Sequence, residues 1–106
     1  MADGIVLTEA TYYILLALCK QPHGYGIMQT VEALSGGRVR LRAGTLYGAL
    51  TNLTEKGWIR LMPVEDGSRK KEYLITQTGV TVLKSEINRL KELAANGEKI
   101  LEECSK

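Results

Sequence analysis

The chain has 106 residues, of which 44 % are hydrophobic and 25 % are charged, and its formal net charge at pH 7 is +2. This length and composition are typical of one globular domain and exclude a disordered or fibrous chain. No apolar run reaches the roughly 18 residues of a membrane-spanning helix, and the N-terminus lacks the basic region of a signal peptide, so we expect a cytoplasmic protein.

The residues that carry metal or covalent chemistry are few and scattered. Cys19 and Cys104 lie far apart in sequence, and the single histidine, His23, has no Cys, Asp or Glu cluster at metal-ligand spacing. The glycine pair at 24 and 26 does not follow a predicted strand, and there is no G-x-S-x-G motif or phosphate-binding loop. We therefore expect no metal, no cofactor and no enzymatic activity.

Two helices are predicted in the first third of the chain. Residues 8–20 form an apolar helix that Thr8 can cap and Pro22 ends. Apolar residues cover most of its circumference, which is typical of a helix buried on more than one side. The second helix is predicted from 24 to about 34, with glycines at 36 and 37 closing it. Its expected buried face is formed by Ile27, Val31 and Leu34.

The stretch from 41 to 58, LRAGTLYGALTNLTEKGW, predicts an amphipathic helix with two unlike faces. One face is an apolar stripe, and Gly57 provides a C-terminal cap. The opposite face is small, hydroxylated and nearly uncharged at its start, where Arg42 precedes it. Such a face suits a helix that enters a DNA groove and touches base edges, as in a helix-turn-helix. The stripe consists of Leu46, Leu50 and Leu53, and the outer face of Gly44, Tyr47, Gly48, Thr51 and Glu55.

A β-hairpin is predicted directly after this helix. Residues 58–64 and 69–76 are β-prone, and Asp66-Gly67 between them is a strong turn signal. A hairpin in this position makes a winged helix. Its tip and return strand carry Arg69, Lys70 and Lys71, whose charges suit phosphate contacts.

Thr76 can cap a last helix over residues 77–103. Apolar residues recur in it at steps of three and four over more than three heptads. At 1.5 Å per residue this helix spans about 40 Å, which a small winged-helix domain cannot cover. We therefore predict that it pairs with a second copy in a homodimer. The predicted interface residues are Val80, Leu83, Ile87, Leu90, Leu93, Ala94 and Leu101.

These elements predict a mainly α fold with a small β-hairpin. Residues 1–76 would form a winged helix-turn-helix DNA-binding domain, and 77–106 a long coiled-coil-like dimerisation helix, within one structural unit. Two hypotheses remain open: a regulator that binds double-stranded DNA, and a dimeric winged-helix protein–protein adaptor without DNA binding. The basic wing discriminates between them, because an adaptor has little need for three consecutive cations there.

The motifs resemble those of the PadR family of bacterial transcriptional regulators. The resemblance implies a homodimeric repressor that binds an inverted repeat and that, in some members, a small hydrophobic or phenolic effector releases from DNA. The matching segments are ILLAL at 14–18, HGYGI at 23–27, GTLYGAL at 44–50, NLTEKGWI at 52–59 and GSRKKEYLIT at 67–76.

Carried over position by position, the resemblance implies that Tyr25, Gly44, Thr45 and Tyr47 face DNA. For the two tyrosines the alternative is a supporting role, in which Tyr25 covers the core and Tyr47 is half-buried. This chain departs from the family pattern in two places. Glu72 precedes a single Tyr73 where family wings often carry two aromatics, and the only tryptophan, Trp58, lies before the wing instead of in the last helix. A drug-binding pore lined by a tryptophan of the last helix therefore has no support from this sequence.

Overall fold

The structure is a computed structural model that describes residues 5–63 and 71–105. These residues form four helices and one antiparallel hairpin, which confirms the predicted mainly α winged-helix fold with a long last helix. In chain order the elements are α1 (Glu9–Leu18), α2 (Gly24–Leu34), α3 (Ala43–Glu55), β1 (Ile59–Met62), β2 (Glu72–Ile75) and α4 (Gln77–Cys104).

Local capping interactions set the helix ends, as predicted. Thr8 and Thr76 cap α1 and α4, and each hydroxyl accepts a hydrogen bond from the amide three residues on, at 3.1 Å. At the end of α3, Gly57 takes the left-handed conformation with φ +78°. Its amide bonds back to the Thr54 carbonyl at 3.0 Å, and the Trp58 amide to the Leu53 carbonyl at 3.1 Å. These two hydrogen bonds close the C-terminal end of α3 and direct the chain into β1.

The hairpin is shorter than predicted and has an additional attachment. β1 and β2 pair from Ile59 opposite Ile75 to Met62 opposite Glu72, while residues 64–70, including the predicted turn, lie outside the described residues. The Tyr73 amide donates to the Pro22 carbonyl at 2.8 Å, and His23 forms an isolated bridge with Glu72. The hairpin is thereby fastened to the connection between α1 and α2, a contact that the sequence did not predict.

A single apolar cluster joins the helices to the hairpin. The predicted stripe of α3 is confirmed, since Leu46, Leu50 and Leu53 are all buried in it. Trp58 is also buried, at the junction of α3 and β1, as expected for a core residue. Leu34, predicted on the buried face of α2, is exposed instead. The core therefore extends along α2 as far as Val31.

The long helix α4 has a covered first part and an exposed second part. Val82 and Leu83 belong to the core, and Gly79 lies against the backbone of Trp58. Glu86 is 2 % exposed, and its carboxylate accepts hydrogen bonds from the Leu7 amide at 3.1 Å and from Arg89 at 2.6 and 2.7 Å. All residues from 90 to 105 are exposed. The domain thus covers only the first turns of α4, in line with the length argument.

Candidate nucleic-acid interface

The outer face of α3 is small and open. Gly44 and Gly48 lie one helical turn apart, and a Cβ added at either would meet no atom of the described residues within 4 Å. Thr45 and Thr51 are exposed on the same helix, and the Thr51 hydroxyl donates to the Tyr47 carbonyl at 2.9 Å. Because glycine leaves the helix backbone uncovered, another molecule can approach α3 closely here. A helix that reads a DNA groove requires such an approach.

The start of α3 presents positive charge and unpaired amides. Arg42 is exposed and occupies the N-cap in an extended conformation, with no side-chain cap bond among residues 5–63 and 71–105. The first backbone bond of α3 runs from the Leu46 amide to the Arg42 carbonyl at 2.9 Å. The amides of residues 43–45 therefore precede the helical hydrogen-bond ladder, and this end of the helix attracts anions.

The other two arginines before α3 are engaged elsewhere. Arg38 bonds to Glu9 of α1, with 2.9 Å between its Nε and the carboxylate. Arg40 lies 3.7 Å from the carboxylate of Glu32 on α2. Of this basic cluster only Arg42 makes no ion pair within the part of the chain that the structure describes. The candidate site therefore includes Arg42 and leaves out Arg38 and Arg40.

Two predicted tyrosines lie together where α2 and α3 meet. Tyr25 is 68 % exposed, so it does not cover the core. Tyr47 is 42 % exposed, and its ring packs on the first turn of α2, where a Cβ on Gly24 would come within 2.9 Å of the Tyr47 Cζ. Tyr47 thus supports α2 and also contributes to the surface, so the two roles considered for it are compatible.

The wing contributes a cation to the same place. Lys71 is exposed and lines one groove together with Tyr25 and Tyr47. The predicted phosphate-binding residues Arg69 and Lys70 lie outside the described residues. The next aromatic, Tyr73, is buried, and burial raises the pKa of its hydroxyl, with a smaller contribution from Tyr47. Tyr73 therefore supports the groove without lining it.

Sequence reasoning missed His23 as part of this groove. Its ring lines the groove beside Lys71, and its Nε2 lies 3.4 Å from a carboxylate oxygen of Glu72. The two residues are 49 positions apart, and no periodicity connects them. The only available signal was the position of His23 directly before the glycines that open α2.

The predicted dimer residues of α4 differ in exposure. Leu83 is 5 % exposed and lies in the chain's own core. The prediction that it belongs to a dimer interface is therefore wrong. It is covered because the first turns of α4 pack on this domain. Val80 and Ile87 are partly covered. The exposed members of the predicted set are Leu90, Leu93, Ala94 and Leu101.

The described ranges, 5–63 and 71–105, contain neither a candidate membrane span nor a candidate metal site. No helix there is long and apolar enough to cross a membrane. No three His, Cys, Asp or Glu side chains in these ranges are grouped in a way that could hold a metal ion.

Known proteins share this architecture. Residues 14–85 match the model of the transcriptional regulator PadR-like family. The crystal structure of a PadR family transcription regulator from Clostridium difficile R20291 is similar with a TM-score of 0.72 at 21 % identity, over 89 % of this chain and 99 % of that one. A PadR family transcriptional regulator from Eggerthella lenta DSM 2243 gives a TM-score of 0.69 at 25 % identity, over 87 % of this chain and 80 % of that one.

A relative by sequence is a 37.1 kDa protein in transposon TN4556 of Streptomyces fradiae, 36 % identical over 87 residues. The alignment covers 81 % of this chain but 24 % of that protein, so the chain spans about a quarter of the relative's length. The family match, in contrast, extends from α1 through the helix-turn-helix and the hairpin to the covered part of α4. The chain therefore belongs to the PadR-like family of transcriptional regulators, whose members are not enzymes.

Proposed function

We propose that this protein is a homodimeric repressor that binds an inverted repeat in double-stranded DNA in the cytoplasm. The observation that carries the proposal is the continuity of the candidate surface. The open face of α3 passes through Tyr47 into the groove lined by Tyr25 and Lys71. One surface thus combines a helix that can approach base edges with a wing that carries positive charge.

Different residues of this surface would have different tasks. Arg42, Thr45 and Tyr47 lie on α3 or at its start and would contact base edges, where each good contact discriminates by about 1–3 kcal/mol. Gly44 would allow the helix backbone to approach. Lys71 would bind a backbone phosphate, and Tyr25 would contact the DNA beside it. Arg69 and Lys70 extend the basic run of the wing and would add phosphate contacts.

In this proposal residues 1–76 bind DNA and 77–106 dimerise, as one structural unit. The exposed half of α4 supports this division, because its leucines at heptad positions are exposed in the part of the chain that the structure describes. Ile100 widens the exposed face beside Leu101. A dimer built on this helix would place the two α3 helices in successive major grooves, about 34 Å apart.

The first experiment is a salt-titrated mobility shift with the DNA upstream of the protein's own gene, together with sizing of the free protein. We expect a dimer that forms one shifted species and loses affinity as salt increases, because phosphate contacts release counterions. A dimer without salt-dependent DNA binding would support the adaptor hypothesis instead. A monomer would remove the basis for the inverted-repeat geometry.

A matched pair of variants tests whether α3 is the reading helix. Gly48→Gln places a bulky side chain on the open face of α3, and Ala95→Gln does the same on an exposed part of α4 beside the predicted seam. Both positions are helical and exposed, so both variants should fold. We expect Gly48→Gln to lower DNA affinity by at least about tenfold, comparable with one lost base contact. Equal DNA affinities of the two variants would contradict the assignment of α3.

Release of DNA by a small hydrophobic or phenolic effector is the last part of the proposal, and it rests on the family resemblance. The single tryptophan does not lie on the last helix, since Trp58 is buried at the junction of α3 and β1. The test is to add phenolic acids and flat hydrophobic compounds to the preformed complex. Loss of the shifted species would support an effector, and an unchanged complex would contradict this part alone.

A further inference from the structure

His23 lies where three parts of the winged helix meet. It ends the connection between α1 and α2, occupies the N-cap of α2, and pairs with Glu72 of β2 by a bridge and by a 3.4 Å side-chain contact. The Tyr73 amide, beside this pair, bonds to the Pro22 carbonyl at 2.8 Å. The imidazole is nevertheless 41 % exposed. It is thus fixed in position while one side remains open to the groove.

The charged and titratable groups around this ring come from every element that packs near it. In the described residues they are Glu72 of β2, Lys71 directly before it, Tyr25 of α2 and Tyr47 of α3. Imidazole is the side-chain type whose charge changes near neutral pH. His23 is the one histidine of the sequence, and a change of charge on its ring would change the charge of this groove.

The Glu72 carboxylate makes this variation relevant to an anionic partner. When the imidazole is neutral, no charge on the ring offsets the Glu72 carboxylate, which repels a nearby phosphate. When the imidazole is protonated, it offsets Glu72 and adds a donor that can bind phosphate. A phosphate and the proton therefore each favour binding of the other, and this coupling is reciprocal.

We propose that His23 is a further DNA-contacting residue of this interface, which binds a backbone phosphate in its protonated form, and that Glu72 is the positioning residue that holds the ring at the groove. The inference rests on the proposed function. It predicts that DNA binding takes up a proton at His23. The affinity for DNA therefore increases as the pH falls through the range in which an imidazole titrates.

The test is the mobility shift of the full chain with its upstream DNA at about pH 5.5 and about pH 7.5, over a series of salt concentrations. We expect about two- to fivefold tighter binding per protomer at the lower pH, as for an exposed charge pair. The salt dependence should also become steeper by about 0.9 per protomer, because one more phosphate is neutralised. A purely structural role of His23 would not change this slope.

Two substitutions at His23 separate charge from shape. His23→Gln cannot be protonated, so it should bind at the high-pH affinity at both pH values. His23→Lys is charged at both, so it should bind tightly at both and restore the steeper slope. If His23→Gln kept the pH dependence of the natural chain, the inference would be overturned. Neither substitution removes a capping bond, because the His23 side chain does not cap α2.

Glu72→Gln tests the positioning residue, with Glu102→Gln near the exposed end of α4 as its matched control. Glu72→Gln should bind DNA more tightly at about pH 7.5 and show a smaller pH difference. Glu102→Gln should keep the natural pH difference, and equal behaviour of the two variants would refute the role of Glu72. If the chain showed no salt-dependent DNA binding at either pH, the proposed function would be overturned as well. If it bound DNA with the same affinity at both pH values, only this inference would be overturned.

Discussion

The packing of Gly79 gives the sharpest prediction about stability. Gly79 lies in the first turn of α4, where a Cβ would come within 2.7 Å of the Ile75 Cγ1 and 3.1 Å of the Trp58 carbonyl carbon, and still closer to the carbonyl oxygen. That oxygen cannot retreat freely, because it accepts the Thr76 amide at 2.9 Å. Gly79→Ala must therefore push the start of α4 away from the Trp58 backbone, which lies between α3 and β1.

The magnitude follows from two opposing terms. Alanine in place of a helical glycine gains about 0.5–1 kcal/mol of stability from helix propensity. Overpacking against fixed atoms costs about 1–3 kcal/mol, and a weakened backbone bond costs about 1 kcal/mol more. The expected net loss is about 1–3 kcal/mol. Since 1 kcal/mol corresponds to about 4–8 °C in a domain of this size, the Tm should fall by about 5–20 °C.

Gly97→Ala is the matched control, because Gly97 lies on the same helix with no described atom within 4 Å of its Cβ position. It should raise the free energy of unfolding by about 0.5–1 kcal/mol. Both variants are compared with the natural chain by urea and thermal denaturation at one protomer concentration, since dimer formation makes the Tm concentration-dependent. A Gly79→Ala variant as stable as Gly97→Ala would refute the packing argument.

Three further predictions concern single side chains. The hydrogen bonds from Arg89 hold the pKa of Glu86 below its usual value, against the opposing effect of burial. The stability that these bonds add is present above about pH 4.3 and is lost as the pH falls through the folded-state pKa of Glu86. Glu86→Gln should therefore have a lower free energy of unfolding at pH 7. Its free energy of unfolding should also fall less steeply as the pH is lowered. Leu101→Glu should shift sizing towards monomer without loss of helical circular dichroism, and an unchanged dimer would contradict the role of α4. Lys71→Ala should weaken binding to all DNA sequences and reduce the salt slope by about 0.9 per protomer, whereas Thr45→Val should alter sequence preference. Identical effects of the two substitutions would contradict the division of roles.

The helices were predictable because short-range interactions determine where they begin and end. Thr8 and Thr76 bond to amides three residues away, and Gly57 makes its left-handed turn whatever packs around it. The stripe of Leu46, Leu50 and Leu53 needs only the helical period to be recognised. All of these signals lie within one or two turns of the residues that they order.

Contacts between distant residues could not be predicted in this way. His23 meets Glu72, and Arg38 meets Glu9, only after the chain has folded back on itself. Glu86 is ionisable, and its burial is possible because Arg89 and the amide of Leu7 bind its carboxylate. A buried charge of this kind depends on partners that the local pattern does not reveal.

One heptad pattern in α4 runs through two different environments. Leu83 of the repeat lies in the chain's own core, Val80 and Ile87 are partly covered, and from Leu90 onward the repeat faces solvent, although the period is the same throughout. A period records which residues share a helix face, but it does not identify what covers that face. Because α4 is an uninterrupted helix from Gln77 to Cys104, its first turns fix the direction of its exposed part. The contacts of Gly79 and Glu86 set the direction in which it leaves the winged helix, so in the proposed dimer they also determine how far apart the two α3 helices lie.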